Sequence, residues 1–203
     1  VLSGTGGDEI FGGYPWRYYR AAVNSDFEDY TNKYYQFWQR LLPNGEIYDV
    51  FAPIEEKVSH VNPRDIFQNV FRSHENYLQT TEDYINHSLY FEAKTFLHGL
   101  LIMEDKLSMA HGLESRVPFL DNDLVDFAMS VPVRLKLGKL DEIVRLNENE
   151  LGPKVERYFE KTRDGKLILR DALSGILPDV VTKNHKQGFS APDASWFKGE
   201  SIE

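Results

Sequence analysis

The sequence predicts a mainly α-helical chain with at most one or two short strands. Residues that can cap a helix recur along it and are followed by apolar residues at helical spacing, whereas sustained alternation of apolar and polar residues is scarce. Of the 203 residues, 41% are hydrophobic and 13% are aromatic. This is enough apolar side chain for one packed domain, or most of one, with an aromatic-rich core.

Most of the predicted helices begin at a residue whose side chain can accept hydrogen bonds from the first turn. Pro43-Asn44-Gly45, Pro132 and Pro178 are predicted to end three of the helices. The first two predicted starts are Ser25, with Glu28 at capping-box spacing, and Asn62 before Pro63. Thr80 or Thr81 is predicted to start a longer helix that includes Leu97. The last two starts are Asp121 and the region of Lys166.

Two other segments complete this outline. Val1-Leu2, before a glycine-rich turn, is the best candidate for a strand, and the first residue is not Met, so we expect a piece of a longer protein. The stretch 146–165 is polar and charged, and Gly152-Pro153 lies inside it. It is predicted to be a surface insertion.

Composition excludes several classes of function. The formal net charge of -9 disfavours binding to nucleic-acid phosphates. The absence of cysteine excludes disulfides and cysteine-based metal sites and permits a reducing compartment. No apolar run approaches the roughly 20 residues that a membrane-spanning helix needs. The predicted partners are therefore small molecules rather than nucleic acid or membrane.

The most informative motif runs from Ser3 to Tyr14 and joins a glycine-rich turn to an acidic pair. Glycines let backbone amides approach a ligand closely and form anion-binding concavities. Asp8 and Glu9 would repel a bare phosphate, but they suit a Mg²⁺ ion lying between carboxylate and phosphate. The alternative is a simple glycine turn in which Asp8 only offsets the dipole of the following helix.

A second motif runs from Met103 to Asp121 and mixes charged with apolar residues. Glu114 and Arg116 are interpreted as a structural ion pair rather than as catalytic groups. His111 has no second histidine at ligand spacing, so we interpret it as a packed or surface residue and not as a zinc ligand.

A third motif, Lys183 to Pro192, places two lysines beside a Gly-Phe turn. A lysine on such a loop can reach a phosphate as a point charge and stabilise charge on a transferring phosphoryl group. The alternative for Lys186 is an ordinary solvated loop lysine.

Together these motifs resemble the synthetase domain of glutamine-hydrolysing asparagine synthetases. The matching segments are Ser3–Tyr14, Ser108–Asp121 and Lys186–Pro192, with Gly165–Arg170 similar to a Gly-Lys-x-x-Leu-Arg helix start. The resemblance implies an α/β parent domain of the ATP pyrophosphatase type. Residues 1–203 would be its C-terminal helical part, without the N-terminal glutaminase domain.

The resemblance also implies a chemistry that uses ATP and Mg²⁺. The side-chain carboxylate of aspartate is adenylated with release of pyrophosphate, and ammonia derived from glutamine then displaces AMP to give asparagine, in the cytoplasm. By match to the motifs, Asp8 is the metal ligand and Lys186 and Thr5 are the catalytic positions. The nucleotide-binding positions implied in the same way are Ser3, Gly4, Gly6, Asp105 and Lys106.

Two departures from the family pattern leave alternatives open. Thr5 stands where many members carry an acidic residue implicated in amide formation, and the family's Ser-Gly-Gly-x-Asp-Ser pyrophosphate loop is not in the sequence. A related enzyme that amidates a sugar uronate or another carboxylate, or closes a β-lactam ring, is one alternative. A non-catalytic truncated module is the other, and the 203 residues alone are expected to show little turnover.

Overall fold

In a computed structural model, the described residues are 1–19, 22, 24–39, 44–71, 78–138 and 165–183. They are mainly helical, which confirms the predicted fold class. Short 3₁₀ helices at Ala52–Ile54 and Pro118–Leu120 accompany the α-helices. In chain order the α-helices are α1 Gly7–Phe11, α2 Pro15–Tyr19, α3 Phe27–Trp38, α4 Asn44–Phe51, α5 Glu55–Val58, α6 Pro63–Asn69, α7 Thr81–Lys94, α8 Phe96–Ala110, α9 Asn122–Ser130, α10 Val133–Lys136, α11 Leu167–Leu173 and α12 Asp179–Thr182.

Extended pairing in the described part of the chain consists of isolated bridges. Leu2 pairs in parallel with Arg116, and Leu137 pairs in antiparallel fashion with Gly165. The Ser3 N–H donates to the Arg116 carbonyl, and the Arg116 N–H donates to the Val1 carbonyl, both at 2.8 Å. The Val1-Leu2 segment is therefore extended and paired at one point, and it fixes the loop that follows against the segment after α8.

Three predicted helix starts are confirmed. The Asn62 side chain accepts from Arg64 N–H, with Pro63 at the first helical position of α6. Thr80 caps α7 in a reciprocal capping box with Asp83. The Asp121 carboxylate accepts from two N–H groups at the start of α9.

Two predicted boundaries are wrong. Asp26, not Ser25, caps α3, because the Asp26 side chain accepts the Asp29 N–H while the Asp29 carboxylate accepts the Ser25 N–H. The long helix predicted from Thr80 through Leu97 is divided at Thr95, whose N–H and hydroxyl both donate to the Phe91 carbonyl. The chain therefore begins a separate helix, α8, at Phe96.

The turn predicted at Pro43-Asn44-Gly45 also begins a helix, since α4 starts at Asn44. The predicted insertion 146–165 lies outside the described residues except for Gly165.

An aromatic core joins α3, α6 and α7. Its rings pack in stacked, tilted and edge-on arrangements, with centroids as close as 4.5 Å between Phe67 and Phe91. The buried members are Tyr30, Tyr34, Tyr35, Phe37, Phe67, Phe71, Leu78, Tyr84 and Phe91. This confirms the aromatic-rich core expected from composition.

A buried charge pair lies beside this core. Glu92 on α7 is fully buried, and its carboxylate accepts hydrogen bonds from the hydroxyls of Tyr18 and Tyr34 at 3.1 and 3.0 Å. The Arg17 guanidinium lies 3.4 Å from the same carboxylate and 3.8 Å from the centre of the Tyr14 ring. The end of the first motif is thereby tied to the core.

Helix α8 is covered on one side only. Leu97 is buried, whereas Met103 and Leu107 have exposed fractions of 62% and 63%. None of the helices in the described part of the chain has both the length and the apolar character that a membrane crossing requires.

Candidate functional site

The glycine-rich turn lies between the Leu2–Arg116 bridge and α1. Gly6 adopts a left-handed backbone conformation with φ of 95°, and a Cβ atom there would lie 2.4 Å from a methyl carbon of Leu120. A side chain is therefore excluded by both the turn and the packing. The backbone conformation and the packing against Leu120 are enough to explain glycine at position 6, without a role in ligand binding.

Gly4 differs from Gly6 in this respect. It is exposed, and a Cβ atom built on it would meet nothing within 4 Å. Packing within the described chain gives no reason for glycine at this position. Open backbone beside the turn is what close approach by a ligand requires.

Four side chains meet beside this open backbone. The Thr5 hydroxyl donates to Glu104 Oε2 at 2.5 Å and lies 2.9 Å from the Ser3 hydroxyl, which also accepts the Thr5 N–H at 3.2 Å. The Ser115 hydroxyl donates to the other oxygen of Glu104. We call Ser3, Thr5, Glu104 and Ser115 the hydroxyl–carboxylate cluster.

Hydrogen bonding sets the charge of this cluster. The bonds from Ser115, Thr5 and Ser3 hold the pKa of the Glu104 carboxyl below its usual range, against a smaller opposing effect of desolvation. Glu104 is therefore ionised at neutral pH. The cluster places a fixed negative charge behind two hydroxyl groups.

Asp8 lies in the first turn of α1, where its carboxylate packs against the Cα of Gly13. Its Oδ1 is 2.7 Å from the ammonium nitrogen of Lys166, and the two side chains have exposed fractions of 26% each. Lys166 has a φ of 58°, and it is the one non-glycine residue with positive φ among those described. Such a conformation costs about 1 kcal/mol or more, so the surrounding structure must hold it in place.

The donor set at Asp8 can be compared with what a metal ion needs. No three His, Asp or Glu side chains in the described ranges lie close enough together to hold a metal ion. Among the described residues, a metal site built from protein ligands alone therefore does not fit. Mg²⁺ in phosphate-binding sites takes one or two carboxylates and completes its shell with phosphate oxygens and water, and Asp8 fits that role.

The remaining predicted site residues lie elsewhere. Asp105 and Lys106 are exposed on α8, directly after Glu104 in the sequence. Lys186 lies outside the described residues. The predicted Glu114–Arg116 ion pair is present with 2.7 Å between nitrogen and oxygen, and it is exposed, as is His111.

Sequence reasoning missed Glu104 and Lys166. Helical spacing carried a signal for the first of them, because Leu97, Leu101 and Glu104 fall on one stripe of α8, at the spacing of a packed face. An acidic residue on a packed stripe needs hydrogen-bond donors. Lys166 lies in the Gly165–Arg170 motif, but nothing in that motif predicted its contact with Asp8, which spans most of the chain.

Comparison with known proteins supports the same family that the motifs resemble. The family model described as asparagine synthase matches residues 1–203. Asparagine synthetase [glutamine-hydrolyzing] 1 of Bacillus subtilis is 28% identical over 232 aligned positions, covering 100% of this chain and 32% of that protein. Asparagine synthetase [glutamine-hydrolyzing] 3 of the same organism is 29% identical, covering 97% of this chain and 28% of that protein.

A putative asparagine synthetase [glutamine-hydrolyzing] of Mycobacterium bovis is 28% identical over 100% of this chain and 31% of its own length. The chain thus spans about a third of the length of the curated relatives it matches. No solved structure matches the chain.

Proposed function

Because the chain belongs to the asparagine synthase family, we propose that it is part of an ATP-dependent amide ligase. The enzyme activates a carboxylate as an acyl adenylate with release of pyrophosphate, and ammonia then displaces AMP to form the amide. The proposed carboxylate is the side chain of aspartate, and the proposed source of ammonia is glutamine hydrolysed by a glutaminase domain. The observation that carries the proposal is the turn at Gly4, open to a ligand, with Asp8 and Lys166 on one side and hydroxyl groups beside it.

Each residue of the turn has a proposed task. The open backbone at Gly4, with Ser3 and Gly6 beside it, faces the nucleotide. Asp8 would hold Mg²⁺ together with phosphate oxygens, and the ion would neutralise phosphate charge. The Lys166 ammonium, at 2.7 Å from Asp8, adds a second cation where phosphate oxygens are expected.

Three further residues complete the proposed site. Lys186 is proposed to stabilise charge on the α-phosphate during adenylation. Asp105 and Lys106 are proposed to line the nucleotide side from α8.

The substrate is tested with the full-length gene product, ATP, Mg²⁺ and a panel of carboxylates. We expect pyrophosphate release to depend on aspartate and to be accompanied by asparagine. Release that depends instead on a sugar uronate would move the enzyme to another substrate class. Absence of release with every carboxylate would favour a non-catalytic module.

The role of Asp8 is tested by Asp8→Asn in the same protein. We expect pyrophosphate release to fall by about a hundredfold or more, since a lost electrostatic contact to a reacting group typically costs that much. Asp126→Asn, at an exposed position of α9, is the matched control and should leave the rate unchanged. A normal rate for Asp8→Asn would remove Asp8 from the site.

A further inference from the structure

The turn of this chain lacks an acidic side chain at position 5, yet a carboxylate lies directly behind that position. Glu104 comes from α8 and is separated from Thr5 by 99 residues in sequence. Its Oε2 receives the Thr5 hydroxyl at 2.5 Å, and its other oxygen receives the Ser115 hydroxyl. Both carboxylate oxygens are therefore oriented by donors, and one of them is directed at Thr5.

The hydrogen bonds also determine where the hydrogen of the Thr5 hydroxyl points. Its hydroxyl hydrogen is used on Glu104, so its oxygen accepts from the Ser3 hydroxyl at 2.9 Å and keeps one lone pair for a further donor. A hydroxyl that donates to a carboxylate is polarised and becomes a stronger acceptor for a further N–H group. A threonine alone cannot accept a proton at neutral pH, but a threonine backed by an ionised carboxylate can pass one on.

We propose that Glu104 is the positioning residue of the amide-forming step and that it acts on the attacking nitrogen through the Thr5 hydroxyl. This inference rests on the proposed function, which supplies the acyl adenylate and the ammonia. Glu104 then supplies from helix α8 the negative charge that the turn lacks at position 5.

The proposed step balances as follows. The nitrogen lone pair forms a bond to the acyl carbon, the bond from that carbon to the phosphate oxygen breaks, and AMP leaves with that electron pair. One proton leaves the nitrogen for the Thr5 oxygen while the Thr5 hydroxyl hydrogen moves to Glu104. The neutral carboxyl group returns its proton to solvent after product release.

The test separates activation of the carboxylate from amide formation, in the full-length gene product with ammonium chloride as the nitrogen source. Glu104→Gln keeps the size of the side chain and removes its charge. We expect pyrophosphate release to change by less than about threefold and the amide formed per pyrophosphate to fall by tenfold to a hundredfold, about the contribution of a positioned proton acceptor. Thr5→Val should give the same uncoupling, because it removes the hydroxyl that joins Glu104 to the nitrogen.

Rescue and controls make the result specific. Thr5→Glu added to Glu104→Gln should restore amide formed per pyrophosphate to within about threefold of wild type, since it returns a carboxylate to position 5. Ser115→Ala removes one donor to Glu104 and keeps the charge, so it should uncouple by less than about threefold. Glu56→Gln, at an exposed position of α5, should have no effect.

The outcomes are distinguishable. An unchanged ratio of amide to pyrophosphate in Glu104→Gln and Thr5→Val would overturn the inference and leave the proposed function standing. Equal uncoupling by Ser115→Ala would also overturn it, by showing that packing and not charge matters. Absence of pyrophosphate release from the wild-type protein would remove the proposed function and the inference together.

Discussion

Glu92 and Glu104 lie on consecutive helices and have opposite surroundings. Glu92 on α7 is fully buried between α2 and α3, with a guanidinium and two tyrosine hydroxyls around its carboxylate. Glu104 on α8 is partly exposed and is held by the small hydroxyls of a turn and a loop. Burial raises the pKa of Glu92 to about 7, whereas hydrogen bonds lower that of Glu104.

The difference shows how one residue type serves two purposes. Desolvation penalises the charge of Glu92, and the Arg17 guanidinium and the tyrosine hydroxyls only partly offset it. Such a pair fixes the packing of helices and is sensitive to the loss of either partner. Glu104 keeps its charge at little cost because solvent and hydroxyls support it, which is what a group acting on a substrate needs.

The largest expected effect is the loss of stability on replacing the buried Glu92. Glu92→Ala would leave Arg17 buried beside two tyrosine hydroxyls that have lost this acceptor. We expect the free energy of unfolding to fall by about 3–5 kcal/mol, measured by urea denaturation. Glu104→Ala should cost about 1 kcal/mol, the net value of an ordinary hydrogen bond. Equal losses for the two variants would contradict the contrast between them.

The next effect concerns the turn that brings Thr5 to Glu104. Gly6→Ala puts a methyl group into a left-handed conformation and against Leu120, and we expect it to cost about 1–3 kcal/mol in thermal or urea unfolding. Gly45→Ala is the control, because Gly45 lies in α4 with open space around it. It should stabilise the protein by about 0.5 kcal/mol. A neutral Gly6→Ala variant would show that the turn is not held as tightly as its packing indicates.

The two glutamates should also give opposite pH dependences of stability. The folded-state pKa of Glu92 lies above its ordinary value of 4.5, so folded protein binds more protons between about 4.5 and 7. Its contribution is present below that range and is lost as pH rises through about 7, with a slope of at most about 1.4 kcal/mol per pH unit. Glu104 contributes stability above its ordinary pKa, and loses it as pH falls through the lowered value.

Urea denaturation across pH 4 to 8 measures this difference. Glu92→Gln should be less pH-dependent than wild type between about pH 4.5 and 7, while Glu104→Gln should retain the wild-type slope there. The charged and titratable groups that act on Glu92 are Arg17, Tyr18, Tyr34 and Glu9. A wild-type slope in Glu92→Gln would contradict the assignment of this pH dependence to Glu92.

The smallest expected effect is that of Ser115→Ala. Ser115 donates to Glu104 in a partly exposed place, so its loss should cost about 0.5 kcal/mol of stability. The pKa of Glu104, followed by NMR titration of its carboxyl carbon, should rise toward the ordinary value because the largest lowering effect comes from Ser115. An unchanged pKa would assign the lowering to Thr5 and Ser3 alone.

Local chemistry made much of the fold predictable. Asn62, Thr80 and Asp121 cap the helices that follow them because each supplies an acceptor to N–H groups within three residues. The start of α3 was misplaced by one residue because Asp26 and Ser25 are both good caps, and only the position of Asp29 decided between them. The break at Thr95 was not predictable from apolar spacing, which continues across it.

The candidate site was predictable in part for the same reason. The turn from Ser3 to Asp8 is a contiguous motif, and its glycines and acidic residue identify it directly. Glu104 and Lys166 lie inside motifs found in the sequence, but their contacts with Thr5 and Asp8 join distant elements, and a motif does not show which distant residue a side chain meets. Lys186 and the stretch 146–164 lie outside the described residues, and their roles stay predictions.

The sequence by itself determined the helical class, the main helix caps and the glycine-rich, acidic first turn, because each depends on residues a few positions apart. Only the tertiary structure decided which glutamate became a buried structural charge and which one reached Thr5. That choice depends on burial and on donors that come from far along the chain, and neither quantity is a property of the local sequence.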